Sequence, residues 1–187
     1  MANAKTRQDA WELLTTYTAN PNLRKHGLAV EAAMRAYARH FKGDEEAWGM
    51  VGLLHDFDYE KYPTLQEHPY QGQKILEEQG YSAEIRRGIM AHAPHTGTTR
   101  ETMMEKTIFA VDELSGFIVA VALVRPSKKL AEVDVASVLK KMKQAGFAKG
   151  VNREDIHTGA KELGISVEEH IQHVLAAIQG IANDLGL

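Results

Sequence analysis

Six residues of metal-ligand type are spread along the chain: the pair His55-Asp56, and His26, His68, His92 and Asp112 at positions where a core-facing helix stripe is otherwise apolar. The densest signal is Gly52-Leu53-Leu54-His55-Asp56, where an apolar helix end delivers an imidazole and a carboxylate side by side. Imidazole and carboxylate together hold a divalent cation, which lowers the pKa of bound water toward neutrality and draws charge from a phosphoryl oxygen. Cysteine is absent, which removes thiolate sites and disulfides together. The ligand set therefore suits Mn, Fe, Co, Ni, Zn or Mg, as one ion or two. Asp112 lies within strongly apolar sequence, and an unpaired carboxylate buried there would cost several kcal/mol, so it must be protonated, ion-paired or metal-bound.

Helices are needed to bring these residues together, and the periodicity supplies them. Thr6 with Asp9 is an N-cap pair, followed by Trp11, Leu14 and Tyr17 at helical spacing, and Asn20-Pro21-Asn22 ends that helix. A second helix, about 23–41, carries His26, Val30, Ala33 and Tyr37 on one stripe. Asp44 caps a third, whose face Trp48, Val51, His55 terminates on the His-Asp pair. A loop is expected over 57–64. A helix over 66–79 would align His68, Gly72 and Ile75, with Gly72 admitting a neighbouring backbone. Ser82 caps the next, whose stripe Ile85, Ile89, His92 is stopped by Pro94. A long helix over about 102–124 carries Ile108, Asp112, Ser115, Val119 and Ala122. Three more are expected, over about 134–145, 152–163 and 166–185, the last with the capping box Ser166/Glu169. No strand-period segment, repeat or linker is evident, so the expectation is one all-α domain over 1–187, with residues 125–132 as a hinge to a smaller C-terminal part.

The remaining histidines have blander readings. His40 suits a helix C-terminus. His157, His170 and His173 fall on polar or mixed faces and are expected in solvent, and His95 is open. Met90, Met103 and Met104 read as core filling, and Lys140, Lys141 and Lys143 as a solvated face.

The ordered set His26, then His55-Asp56 after Gly52-Leu53-Leu54, then Asp112 in Val111-Asp112-Glu113-Leu114-Ser115-Gly116, resembles the HD-domain superfamily of metal-dependent phosphohydrolases over roughly residues 20–125. His68-Pro69 with Gly72, and then His92, resemble the extra histidines of binuclear members. The resemblance implies an all-α fold with a first metal on His26, His55, Asp56 and Asp112, and a second on Asp56, His68 and His92. Family members often carry Gly, Lys or Glu just after the pair, where this chain has Phe57-Asp58-Tyr59-Glu60-Lys61. Asp58, Glu60 and Lys61 are therefore all candidates for the general acid. Ala91 before His92 replaces the paired histidine of the GYP-containing cyclic-dinucleotide phosphodiesterases, and that activity is not expected.

Arg125, Lys128, Lys149 and Arg153 are the basic side chains that could approach a phosphate. The substrate expected is a phosphate ester of a small molecule or nucleotide. The alternative is a di-iron oxygenase of the same superfamily acting on a small organic molecule, and a third reading is a non-catalytic signalling module. Length and composition fit a globular protein: 187 residues, 44% hydrophobic and 25% charged. The net charge of −3 gives no basic field for duplex nucleic acid or an anionic membrane. The start, Met1 to Arg7, has no following apolar h-region, and the run Phe117 to Val124 is too short to span a bilayer, so a cytoplasmic location is expected.

Overall fold

The computed structural model describes residues 5–187, and its secondary structure is helical throughout, with no strand among those residues. The helices are α1 (Arg7–Tyr17), α2 (Pro21–Phe41), α3 (Glu45–Leu54), α4 (Tyr70–Glu78), α5 (Ala83–Ala91), α6 (Met103–Leu123), α7 (Val135–Met142), α8 (Arg153–Leu163), α9 (Val167–Gln179) and α10 (Ala182–Leu185). Short 3₁₀ turns cover Pro94–Thr96 and Leu130–Glu132. None of the helices is long and apolar enough to cross a membrane.

The starts follow capping chemistry. Thr6/Asp9, Thr102/Glu105 and Ser166/Glu169 close as capping boxes, and Asp44 accepts from the amides of Glu46 and Ala47. Helix α2 begins two residues earlier than the periodicity predicts, because Asn20 caps it and Pro21 occupies its first turn, where a missing N–H is harmless. The helix predicted over 66–79 starts only at Tyr70, so His68 lies in the turn before α4; Pro69 disfavours helical geometry at the residue preceding it. The segment predicted as one helix over 166–185 breaks at Gly180 and Ile181 into α9 and α10.

Helix α6 is the axis of the packing: Ile108, Val111, Leu114, Phe117 and Ile118 are fully buried along it. It lies against α2, α5, α8 and α9. The closest pairing is α2 with α3, and two glycines allow it. A Cβ on Gly52 would stand 2.9 Å from the Glu31 Cα, and one on Gly27 would stand 3.0 Å from the Leu53 carbonyl oxygen. That approach sets His26 on α2 beside His55 at the end of α3. One core cluster runs from Ala10 to Leu185. The segment 125–132 is tied down rather than hinge-like: Leu130 is buried, and the Gln179 amide donates to the Leu130 and Val133 carbonyls at 3.0 and 3.2 Å.

The expectation of solvated His170 and His173 is overturned. His170 stands four residues before Val174 and eight before Ile178, hence on the apolar stripe of α9, and it is wholly buried. Its ring is satisfied on both sides: the Tyr37 hydroxyl donates to Nδ1 at 2.7 Å and Nε2–H donates to the Ala110 carbonyl at 2.8 Å. His173 is half-buried beside the rings of Tyr37 and His40. His157 is exposed, as expected.

Candidate metal centre

Four helix ends and α6 meet at one place. His55 is the C-cap of α3 and His92 the C-cap of α5. Each donates Nδ1–H to the carbonyl three residues back in the last helical turn, of Gly52 at 2.8 Å and of Ile89. The apolar helix ends that carry these histidines thus also fix their tautomer. His68 reaches the same state differently, by donating Nδ1–H to Asp58 Oδ1 at 2.8 Å. With Nδ1 as donor in all three, the neutral rings present an Nε2 lone pair.

Those lone pairs converge with carboxylate oxygens in two sets: His26, His55 and Asp112; and Asp56, His68 and His92. In the first, His26 Nε2 is 3.0 Å from Asp112 Oδ1 and 3.2 Å from His55 Nε2, and His55 Nε2 is 3.4 Å from Asp112 Oδ1. In the second, His68 Nε2 is 3.2 Å from His92 Nε2, and Asp56 Oδ1 is 3.2 and 3.4 Å from those two nitrogens. Asp56 Oδ2 stands 3.5 Å from His55 Nε2. The two oxygens of Asp56 therefore face the two sets, as a bridging carboxylate would. Ligands about 2.1 Å from a common ion are separated by about 3.0 Å in octahedral and 3.4 Å in tetrahedral geometry, which is the spacing found.

The electrostatics agree. Burial lowers the His55 pKa, but the Asp56 and Asp112 charges outweigh it and push it up to about 9. Burial also opposes protonation of His68, and its bonds to Asp56 and Asp58 push it up to about 9. Burial raises the carboxyls of Asp56 and Asp112, yet the facing imidazoles hold both well below the usual range. A field of this kind favours cations, protons and metal ions competing for the same nitrogens.

All six ligand-type residues singled out in the sequence are thus brought together. The other candidates are placed differently. Asp58 is buried behind His68, with Oδ2 accepting from the Gly72 amide at 2.7 Å. It is this carboxylate and the Phe57 ring, rather than a neighbouring backbone, that Gly72 admits. Glu60 accepts from the Asn20 amide, and Lys61 lies over the Tyr17 ring at 4.1 Å, both at the α1–α2 junction. Arg153 is occupied by the carbonyls of Met142, Gln144, Phe147, Ala148 and Val151. Lys149 is exposed in the α7–α8 loop, and Arg125 is half-buried with an unpaired Nε. Lys128 alone of the four basic candidates shares a cavity with a metal-type ligand, His26. His95 donates Nε2–H to the His68 carbonyl at 2.9 Å and so braces the set from outside.

Two residues were not anticipated. Glu113 and Asp155 line a cavity of about 180 Å³ together with His68, His92, His95 and Asp112. Burial, reinforced by the Asp112 charge, pushes the Glu113 carboxyl up to about 7, and burial raises Asp155. Glu113 carried a signal, as the second polar residue in an apolar run; Asp155 reads as an ordinary acidic residue in the first turn of α8.

Set against protein-family models, curated proteins and solved structures, the chain matches none. The site's geometry carries the functional reading.

Proposed function

We propose that this protein is a metal-dependent phosphohydrolase of the HD type, acting on a phosphate ester of a small molecule. One observation carries the reading: His68 and His92 both donate through Nδ1 to acceptors, yet their Nε2 atoms face each other and Asp56 Oδ1 within 3.4 Å. With both Nδ1 protons placed on those acceptors, the two Nε2 atoms and Asp56 Oδ1 call for a cation among them, a role for which a metal ion and a proton compete.

His26, His55 and Asp112 would hold one ion and His68 and His92 another, with Asp56 shared. When bound, such ions lower the pKa of a water and neutralise charge on phosphoryl oxygens. The protein's own groups do the rest. Asp58, the Gly52 carbonyl and the Ile89 carbonyl take the Nδ1 protons and orient the rings, so that Nε2 is the atom each ring would turn to an ion. Glu113, in the adjoining cavity beside Asp112, is the carboxyl that would pass a proton to a leaving group. Glu60 and Lys61, held at the α1–α2 junction, take no part in this reading.

Metal analysis of the purified protein, followed by a phosphatase screen with each divalent ion, tests the proposal. Stoichiometric metal and turnover of phosphate monoesters are expected; metal-free protein after loading with each of these ions would refute it.

A second reading, a di-iron oxygenase acting on a small organic substrate, draws on the cavity lining. Asp112, Glu113 and Asp155 are there, and no lysine or arginine. That lining suits an uncharged or cationic substrate better than a polyanion. Oxygen uptake by the iron-loaded protein, without phosphatase turnover, would favour it.

A further inference from the structure

We infer that the cavity between α2, α6 and the 185–187 segment receives the apolar organic group of the substrate, so that the preferred ester carries an alkyl or aryl body rather than a nucleotide. The inference rests on the phosphohydrolase reading above. The cavity measures about 420 Å³, within the range of small-molecule sites, and its apolar wall includes Val119, Leu123, Leu185 and Leu187. Its polar members are Asn22, Lys25, Lys128 and the edge of His26.

Two independent observations connect it to the metal centre. The first is a single face of α6. Phe109, Asp112 and Glu113 line the small acidic cavity, and Gly116, Val119 and Leu123 line the apolar one. Their spacing places all six on one face of the helix, the acidic cavity with Asp112 toward its N-terminal half and the apolar one toward its C-terminal half. A molecule lying along that face meets the ligand sets at one end and the apolar wall at the other.

The second is Gly116 itself. Glycine within a helix costs about 1 kcal/mol relative to alanine, so its presence calls for a reason. At Gly27, Gly52, Gly72, Gly88 and Gly159 the reason is packing, since a Cβ would come within 3.0 Å of a neighbour. At Gly116 a Cβ would meet nothing nearer than 3.8 Å, the Cε1 and Nδ1 of His26. No neighbour packs against that position, and the glycine leaves the space beside His26 open. His26 stands on the boundary, with Nε2 facing Asp112 and His55 and its Nδ1 edge toward Gly116. Among the described residues no protein acceptor takes that Nδ1, in contrast to the other three histidines of the centre.

The test is direct binding of alkylphosphonates from methyl to hexyl, which phosphatases do not hydrolyse, to the Mn²⁺-loaded protein by titration calorimetry. Affinity is expected to rise roughly four-fold per methylene buried, on the order of 100-fold or more across the series. Gly116→Leu should fill the cavity, cutting that gain to under about 10-fold, each affinity being taken relative to methylphosphonate on the same protein. Gly116→Ala, whose Cβ fits at ordinary contact distance, should keep most of the gain and shows that the helix tolerates a side chain. A flat series in the wild type, or a gain that survives Gly116→Leu, would overturn the inference. Failure of the parent reading looks different: chain-length-dependent binding lost in Gly116→Leu, with no phosphate ester turned over, would leave the cavity assigned and the phosphatase chemistry refuted.

Discussion

Asp58 stands behind His68, its Oδ1 taking the proton of Nδ1 at 2.8 Å while the ring's Nε2 faces Asp56 Oδ1 at 3.2 Å. A carboxylate, an imidazole and a bridging carboxylate are thus in line, and the carboxylate behind the ring fixes its tautomer and raises its basicity. Asp58 was a candidate acid in the sequence; its burial and its second bond to the Gly72 amide make it a positioning residue.

Asp58→Ala should weaken the ion bound by Asp56, His68 and His92 by about 10–100-fold, the usual cost of losing such a partner. Asp58→Asn, which can still accept through its oxygen, should lose less. The ion on His26, His55 and Asp112 should be unaffected, so a metal titration resolving two affinities is the measurement. Equal weakening of both would show that Asp58 acts on the fold rather than through His68.

Asp112→Ala should leave helical content intact and remove the ion of the first set, with affinity falling by more than about 100-fold. The competing role, a buried ion pair, predicts something else: metal content unchanged and about 3–5 kcal/mol of stability lost through a stranded partner charge. The groups bonded to Asp112 in the structure are imidazoles, His26 and His55, and no lysine or arginine pairs with it. Full metal content in the variant, measured by elemental analysis, would contradict its assignment as a ligand.

The ligand-type residues are legible in the sequence because His26, His55, His92 and Asp112 sit on or at the end of an apolar stripe, where a polar group demands a partner, and Asp56 stands beside His55. The same logic failed for His170. Its position relative to Val174 and Ile178 puts it on the stripe, but its partners, Tyr37 and the Ala110 carbonyl, lie on other helices that no local pattern names. His68 joins the cluster from a turn and not from a helix, since the helix expected to carry it begins only at Tyr70. The roles of Asp58, Glu60, Lys61 and Arg153 were beyond reach for a related reason: sequence shows which side chains can act on a substrate, whereas occupation by Gly72, Asn20, Tyr17 or a ring of carbonyls is decided by tertiary packing.

The buried His170 gives a pH dependence that owes nothing to the metal centre. Burial, first among its causes, lowers its pKa to about 4 from an ordinary 6.5. The sign follows: above pH 6.5 folded and unfolded chains both carry it neutral, and as pH falls from 6.5 toward 4 only the unfolded chain gains the proton. Stability therefore drops by about 3 kcal/mol over that window, one pKa unit being worth about 1.4 kcal/mol. Urea unfolding of metal-free protein between pH 7 and 4 should show this fall, and a His170→Gln variant, though less stable throughout, should lack that component of the slope. Parallel curves for the two proteins would mean that His170 titrates alike folded and unfolded.

The number of ions decides between simple hydrolysis and richer redox chemistry, and it turns on His68 and His92. One ion needs no more than His26, His55, Asp112 and an oxygen of Asp56, all of which lie in or beside the first set. The second set has no function in that case, yet its three atoms are as closely convergent as those of the first, and both of its rings are oriented by an acceptor at Nδ1. A substrate phosphate could be held by two histidines, but Asp56 Oδ1 at 3.2 and 3.4 Å would then repel it, since like charges at that range disfavour one another. Two ions about 3.5–4 Å apart, sharing Asp56, satisfy every atom of both sets. His68→Ala combined with His92→Ala should accordingly halve the bound metal and remove most turnover. If metal content stays whole while the Michaelis constant rises, these histidines contact substrate, and the centre is mononuclear.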